Sequence, residues 1–156
     1  MTTEDVIEPV TIDGLWNFGY TYVAGDAASR FFHELTRRRI LGSLCPSCER
    51  VLVPARGFCD ACYVETTEYR AVGHVGTVET FTIMTGELPG LPPPPFVVAL
   101  VRLEGADTAL LNAVTGVDLS DPDAAGAFLL TGPTVEVEFK DVCEGRITDF
   151  HFVVRP

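Results

Sequence analysis

The stretch "CPSCERVLVPARGFCDAC", Cys45 to Cys62, decides the architecture of the first half of this chain. It contains two CxxC pairs, Cys45 with Cys48 and Cys59 with Cys62, and ten residues separate the pairs. A CxxC turn presents two sulfur atoms on one side, and two such turns supply the four ligands of a tetrahedral zinc ion. The spacing therefore predicts a structural zinc ribbon; an iron–sulfur centre and a redox-active pair are the alternatives.

A zinc site closed by four protein ligands has no open position for water, so we expect it to hold structure and not to hydrolyse a substrate. The free energy of metal binding then becomes folding free energy, on the order of 10–16 kcal/mol in zinc-finger peptides. Residues 43–72 offer few apolar side chains for a core of their own. Zn²⁺ is therefore the predicted cofactor of this segment, in a structural role.

Upstream of the cysteines, the segment "DAASRFFHELTRRRILG" has apolar residues at helical spacing. Asp26 is a candidate N-cap and Gly42 a candidate terminator, which together predict a helix of about four turns. Arg37, Arg38 and Arg39 fall in its last turns, where positive charge interacts favourably with the carbonyl end of the helix dipole. Three adjacent cations exceed what a helix end needs, so a phosphate-binding patch is the alternative interpretation.

Residues 1–25 alternate aromatic with smaller or polar residues, at Trp16, Phe18, Tyr20 and Tyr22. This pattern indicates an extended arm with one apolar side. The sequence leaves open whether the arm packs on its own chain or on a partner protein.

Beyond the ribbon, five segments are rich in β-branched residues and are separated by Gly, Pro and Asp turns, and several of them alternate apolar with polar side chains. Five strands in about 80 residues predict a small closed barrel of the OB type. The segment "SDPDAAGAF" has Ser120 or Asp121 as a candidate cap and Pro122 at the first helical position, which predicts a short helix after the third strand. The predicted strands are 73–85, 95–103, 108–114, 134–142 and 146–153.

The predicted fold class is therefore mainly β, with an N-terminal helix and a zinc ribbon followed by a five-stranded OB-fold barrel. We expect three regions: an arm and helix at 1–42, the ribbon at 43–72 and the OB-fold domain at 73–156.

The charge distribution disfavours a nucleic-acid partner. The formal net charge is −11, and residues 73–156 carry four basic against twelve acidic side chains. Nucleic-acid binding rests largely on Lys and Arg that neutralise phosphates, and an acidic surface repels them.

Export and membrane signals are not evident in the sequence. Met1 to Val10 carries acidic residues and no basic one, and no apolar run approaches the roughly 18 residues that a membrane-spanning helix needs. CxxC pairs of this kind favour metal-bound thiolates over disulfides in a reducing compartment. We therefore expect a soluble, cytoplasmic protein with no membrane partner.

The remaining chemically reactive residues form no recognisable catalytic motif. Cys143 has no cysteine or histidine near it in sequence, and His33, His74 and His151 are each isolated. The chain also lacks a GxSxG motif and a Walker loop. The sequence therefore predicts no catalytic residues, and a free-standing enzyme that uses Cys143 is the alternative.

Five stretches carry a resemblance to a known family: "FFHELTRRRILGSLCPSCERVLVPARGFCDAC", "GTVETFTIM", "PPFVVALVRLEG", "LLNAVTG" and "GPTVEVEF". In this order they resemble the DUF35 proteins, in which a rubredoxin-like zinc ribbon precedes an OB-fold associated with acyl-CoA metabolism. The resemblance spans residues 26–153. Four positions transfer residue by residue, namely the zinc ligands Cys45, Cys48, Cys59 and Cys62.

The resemblance implies a partner role. DUF35 proteins are typically small partners of thiolase-superfamily proteins, including thiolases and thiolase-like aldolases that shorten CoA-thioester side chains of steroids. The arm "LWNFGYTYVAG" looks most like the steroid-aldolase partners. The resemblance implies a non-catalytic subunit that docks on a thiolase-like enzyme and contacts acyl-CoA indirectly. Within that role, the candidate contacts to the CoA phosphates are Arg37, Arg38 and Arg39. The alternative is a nucleic-acid-binding module built on the same two folds.

Overall fold

A computed structural model of the chain describes residues 19–87, 89 and 91–155. These residues form one helix, a small three-stranded sheet and a closed five-stranded barrel that carries a second helix. The elements are α1 Asp26–Leu35, β1 Leu41–Leu44, β2 Val51–Leu52, β3 Glu68–Ala71, β4 Val75–Met84, β5 Phe96–Leu103, β6 Leu110–Thr115, α2 Pro122–Leu130, β7 Thr134–Phe139, a 3₁₀ turn at Ile147–Asp149 and β8 Phe150–Val154.

Helix α1 packs through one apolar face. Ala27, Phe31 and Leu35 follow one another at a spacing of four residues and are all buried. Gly25 occupies the N-cap position with a φ of 81°, and no side chain caps the helix. The predicted cap, Asp26, is instead the first helical residue, and its carboxylate accepts from the Arg30 side chain at 2.7 Å.

The helix is shorter than the sequence predicted. It ends at Leu35, and Arg38 takes the left-handed conformation with a φ of 57°, which breaks the helical path. Gly42 was the predicted terminator of the helix, but it lies in strand β1 instead. A Cβ atom there would come within 2.6 Å of Val51 Cγ1, so close packing of β1 on β2 requires the glycine.

The small sheet has the order β2-β1-β3 and is antiparallel throughout. The side chains of its edge strand β2 pack into two different apolar clusters, because successive side chains of a strand point to opposite faces. Leu52 packs with Cys45 and Cys59. Val51 and Val53 instead join the large apolar cluster that includes the barrel.

A turn of the barrel completes the backbone hydrogen bonding of β2. The Val51 N–H donates to Asp107 Oδ2 at 2.8 Å, and the Asp107 N–H donates to the Val51 carbonyl at 2.8 Å. Thr108 Oγ1 both accepts from the Val53 N–H at 2.7 Å and donates to the Val53 carbonyl at 2.9 Å. Asp107 and Thr108 thus pair with β2 as a neighbouring strand would, and they join the ribbon to the barrel.

The barrel has the strand order β4-β5-β6-β8-β7 and closes through β7 and β4. Its pairs are antiparallel except for β6 with β8. The interior is filled by alternate strand residues, including the fully buried Phe150 and Phe152. The predicted fold class, mainly β with a helix, a ribbon and a five-stranded OB barrel, is confirmed.

Helix α2 lies between the third and fourth barrel strands, as predicted. Asp121 is its N-cap, and its Oδ1 accepts from the N–H groups of Asp123 at 3.0 Å and Ala124 at 3.2 Å. Pro122 is the first helical residue, where its missing N–H costs nothing. Ala125 and Leu129 are buried, so the helix packs on the barrel through these two side chains.

Most of the predicted aromatic arm, including Trp16 and Phe18, lies outside the described residues. Tyr20 and Tyr22 are described, and both are exposed with ring centroids 6.1 Å apart. In the described part of the chain, no helix has the length and apolar character to cross a membrane.

Candidate metal centre

The four cysteines of the two CxxC pairs converge on one point. Their Sγ atoms all lie within 4.8 Å of one another, and the Sγ atoms of Cys48 and Cys59 are 3.9 Å apart. Tetrahedral zinc with bonds of about 2.3 Å to sulfur places the sulfur atoms about 3.8 Å apart. Cys45 and Cys59 are buried, Cys62 is half-buried and Cys48 is exposed, so the centre sits at the edge of the ribbon.

The two CxxC turns have the same backbone structure. In the first turn the Cys45 N–H donates to the Arg50 carbonyl at 2.9 Å, and the Glu49 N–H donates to the Cys45 carbonyl at 3.0 Å. This bonding directs both sulfur atoms of the turn to one side. The equivalent bonds in the second turn join Cys59 N–H to the Val64 carbonyl at 2.9 Å and Tyr63 N–H to the Cys59 carbonyl at 2.9 Å.

Each turn depends on a left-handed residue that sequence reasoning missed. Glu49 has a φ of 60° and Tyr63 a φ of 55°, and each directly follows the second cysteine of its pair. This conformation costs an ordinary residue roughly 1–2 kcal/mol, and surrounding structure must hold it. The position after each CxxC was the available signal, because the chain must turn sharply there to return as a strand.

Backbone dipoles favour negative charge at Cys45. The N–H groups of Cys48 and Ser47 point at Cys45 Sγ, at 3.5 and 3.4 Å, and lower the pKa of that thiol to about 6 although burial opposes them. The Arg50 N–H also lowers the pKa of Cys48, but burial and the three neighbouring thiols outweigh it and raise that pKa to about 12. A cation bound among the four sulfur atoms would stabilise their thiolate forms.

The donor set fits structural zinc, as the sequence predicted. Zinc favours soft sulfur ligands in a tetrahedron, and four protein ligands leave no position for a water nucleophile. Among the described residues, this is the one group of three or more His, Cys, Asp or Glu side chains whose ligand atoms converge. When bound, the ion supplies a cross-link between the two turns.

The three adjacent arginines are divided between two structural contacts. Arg37 pairs with Glu34 at 2.6 Å, and Arg39 pairs with the other oxygen of the same carboxylate. Burial raises the pKa of Glu34, but the two guanidinium groups outweigh it and hold the pKa below its usual value. Arg38 instead donates to the carbonyl oxygen of Asp141 at 3.0 Å. Their contact with CoA phosphates stays a prediction.

The other candidate nucleophile lies away from the sulfur cluster. Cys143 is half-buried, and its thiol donates to the Lys140 carbonyl at 3.5 Å. A backbone carbonyl is not a base that could deprotonate the thiol. The His74 ring packs 5.4 Å from the Phe139 ring. His151 lies 3.9 Å from a carboxylate oxygen of Glu138.

Two domain models match the sequence, and their matches are adjacent. The rubredoxin-like zinc ribbon domain of ChsH2 matches residues 32–68. The C-terminal OB-fold domain of ChsH2 matches residues 69–140. The two matches together cover more than two thirds of the chain. A comparison with curated proteins gave no significant match.

Two solved structures share the fold. A protein of unknown function from the DUF35 family of Sulfolobus solfataricus is 24% identical, with a TM-score of 0.60, and the match covers 84% of this chain and 87% of that one. A chain of the Ltp2-ChsH2(DUF35) aldolase is 20% identical, with a TM-score of 0.62, and the match covers 87% of this chain and 98% of that one. The chain therefore belongs to the family that the two domain models describe, in which a ChsH2-type zinc ribbon precedes a ChsH2-type OB-fold, and the resemblance to the DUF35 proteins is confirmed.

Proposed function

We propose that the chain is an accessory subunit of a thiolase-superfamily enzyme, a thiolase or an aldolase, that cleaves or forms carbon–carbon bonds in acyl-CoA substrates. Steroid side-chain CoA thioesters are the substrate class that the resemblance favours. The main support is that the whole ribbon-plus-barrel unit matches 98% of a chain of the Ltp2-ChsH2(DUF35) aldolase. The proposal includes the cytoplasmic location expected from the thiolate ligands.

The zinc centre supports a structural and not a catalytic role for the ribbon. We infer that Cys45, Cys48, Cys59 and Cys62 ligate the ion, since their sulfur atoms lie within 4.8 Å of one another. Four sulfur ligands saturate the metal, so it activates no water. The partner subunit then supplies the catalytic residues, and this chain supplies a folded surface.

The acidic character of the chain supports a protein partner over a nucleic acid. Binding to single strands combines a positively charged groove with exposed aromatic platforms. The barrel region carries four basic and twelve acidic side chains. A gel shift with oligonucleotide at low salt checks this, and a salt-dependent shift would favour the nucleic-acid alternative.

The arginines offer a way for the subunit to meet acyl-CoA in the complex. Arg37 and Arg39 line a groove of about 520 Å³ together with Arg30 and Tyr69. Two guanidinium groups share the single carboxylate of Glu34, so a net positive charge remains for CoA phosphates. The substitutions Arg37→Ala and Arg39→Ala should each raise the KM of the complex for acyl-CoA and leave kcat unchanged. An unchanged KM would mean that the two arginines only form ion pairs with Glu34.

The test of the proposed function is co-expression with the thiolase-like protein encoded by a neighbouring gene, followed by gel filtration. The proposal predicts a single peak that contains both chains, with zinc in a fixed ratio to this chain. Two separate peaks over a range of protein concentrations would contradict the subunit assignment.

A further inference from the structure

The outer surface of strands β5 and β6 is largely apolar where solvent should face it. On β5, Val97, Ala99, Val101 and Leu103 are buried in the barrel. Because side chains alternate along a strand, the intervening residues of β5 point outward. Phe96, Val98 and Leu100 are the first three of those residues, and none of them belongs to the core cluster. The fourth, Arg102, is exposed and pairs with Glu79 of β4.

The strand register extends this surface to both neighbours of β5. Leu100 is paired with Leu111 of β6, and Val98 with Ala113. On the other side, Phe96 is paired with Met84 of β4, whereas Val98 and Leu100 are paired with the exposed Thr82 and Thr80. We call these six residues the apolar face: Met84, Phe96, Val98, Leu100, Leu111 and Ala113.

The opposite side of the same barrel shows that an apolar exterior is not a general property of this fold. There the outward residues of β7 and β8 include Glu136, Glu138 and His151, beside Thr134 and Val153. Arg155 pairs with Glu136 at 2.9 Å and with Glu138 at 3.6 Å, and His151 lies 3.9 Å from Glu138. Antiparallel sheets normally present such polar residues to water on their outer side. The apolar face therefore departs from the rule on one side of the barrel only.

Two loops of the barrel also carry exposed apolar side chains. Leu111 is 55% exposed on the face itself. Leu91, in the loop between β4 and β5, is 51% exposed, and Val142, in the segment after β7, is 74% exposed. That segment is tied to β6 by Asn112, whose Nδ2 donates to the Ile147 carbonyl at 3.0 Å. Larger exposed apolar patches with a polar rim mark interaction sites.

The position of the face within the fold also points to binding. In OB-folds the second and third barrel strands and the loops beside them form the ligand-binding surface. The equivalent strands here are β5 and β6, which carry five of the six residues. The one outward cation of these two strands, Arg102, is already paired with Glu79, and the face has one aromatic ring, so the chemistry suits a protein surface and not an oligonucleotide.

The charges around the face indicate what kind of protein it is. The loop between β4 and β5, which joins Met84 to Phe96, carries the exposed carboxylate of Glu87. A second copy of this chain would bring a further net charge of −11 to the contact. Residues 1–18 contain four acidic side chains and no basic one, so the chain's own N-terminal segment fits no better. Like charges at an interface are unfavourable.

We propose that the apolar face is the docking surface for the partner subunit, and that the partner presents an apolar patch edged by Lys and Arg. The proposal rests on the proposed function and adds the location and chemistry of the contact. Leu111 is its most exposed member, and Glu87 at the edge of the face favours a cation on the partner.

The test compares Leu111→Arg with Leu130→Arg in the co-purified complex. Leu130, at the end of α2, is 80% exposed and lies off the face, so its variant is a matched control. Leu111→Arg should weaken binding at least ~10-fold, since a cation would replace the most exposed apolar contact of the interface. Leu130→Arg should bind as the unchanged chain does. Zinc content and thermal unfolding confirm that each variant folds, and Ala113→Lys replaces Leu111→Arg if that variant does not.

Each outcome bears on one claim. If the unchanged chain fails to bind the thiolase-like protein, the proposed function fails and the docking surface fails with it. If the unchanged chain binds and both arginine variants bind equally well, the docking surface is wrong and the proposed function stands. If Leu111→Arg instead abolishes self-association of the isolated chain, the face belongs to a second copy, which also overturns the proposal.

Discussion

The ribbon and the barrel reach a stable structure by different means. Among the described residues, the ribbon's own apolar cluster has three buried members, Cys45, Leu52 and Cys59, and two of these belong to the four-cysteine cluster. The cluster that fills the barrel has twenty buried residues, including contributions from α1 and β2. A segment of about thirty residues cannot bury enough apolar area to fold alone, so metal binding takes the place of a core.

The two regions nevertheless form one body, because β2 is shared. Its Leu52 faces the sulfur cluster, whereas Val51 and Val53 face the barrel. Asp107 and Thr108 then satisfy the exposed edge of β2. Loss of the metal should therefore destabilise the barrel as well, through β2, whereas loss of barrel packing should leave the sulfur cluster intact.

Removal of zinc should have the largest effect. Cys59→Ser, or a strong chelator, should abolish the protection of ribbon amides at 41–71 in hydrogen exchange, since the metal supplies on the order of 10–16 kcal/mol in comparable peptides. The barrel strands should keep part of their protection. Cys143→Ser is the matched control and should retain both zinc and ribbon protection. Slow ribbon exchange without metal would contradict this account.

A cavity in the barrel core should destabilise the barrel and leave zinc binding by the ribbon unchanged. Phe152 is fully buried and packs edge-on against Phe150 with ring centroids 5.8 Å apart. Phe152→Ala should lower the free energy of unfolding by roughly 3–5 kcal/mol in urea titrations. Zinc content should stay unchanged under native conditions. Loss of the metal from a folded variant would show that the sulfur cluster depends on barrel packing.

Breaking the junction should affect both regions moderately. Asp107→Ala leaves the Val51 N–H without its acceptor at 2.8 Å, which should cost about 1–3 kcal/mol of unfolding free energy. Asp107→Asn keeps an acceptor oxygen and should lose less. Equal losses in the two variants would mean that the hydrogen bond does not couple ribbon and barrel.

The smallest effect concerns helix α2 and separates two candidates that the sequence left open. Asp121→Ala should lower the free energy of unfolding by about 0.5–2 kcal/mol, because it removes the N-cap acceptor. Ser120→Ala should be nearly neutral in the same thermal unfolding experiment. A larger loss at Ser120 would mean that the cap is assigned to the wrong residue.

The sequence predicted the architecture because its two main signals are local and periodic. The spacing of the cysteines within 45–62 needs no knowledge of the rest of the chain. The alternation of side chains likewise identifies each barrel strand to within a few residues, since a strand repeats every two residues. The same reasoning located α2, where Asp121 and Pro122 mark a helix start.

What the sequence missed depends on contacts between distant segments. Gly42 looked like a helix terminator, yet its role is to let β1 approach Val51 closely. Glu49 and Tyr63 adopt the left-handed conformation although neither residue type favours it. The three arginines are adjacent in sequence, but Arg38 turns toward the barrel while its neighbours share Glu34.

The apolar face had a signal in the sequence that strand prediction alone did not use. In "FVVALV", at the start of β5, every residue is apolar, so both faces of the strand are apolar. Such a run is typical of a strand covered on both sides, whereas an antiparallel barrel covers one side only. The structure shows which side the core leaves uncovered, and the partner is proposed to cover it.

The most direct test of the central claim, that the chain supports a partner that owns the chemistry, is a titration of activity. Increasing amounts of the chain are added to a fixed amount of the thiolase-like protein, and carbon–carbon bond cleavage or formation in acyl-CoA is measured. The account predicts no turnover by the chain alone, and a rate for the mixture that rises and saturates at a fixed ratio. Turnover by the chain alone at the rate of the mixture, or a partner rate that does not change on addition, would contradict it.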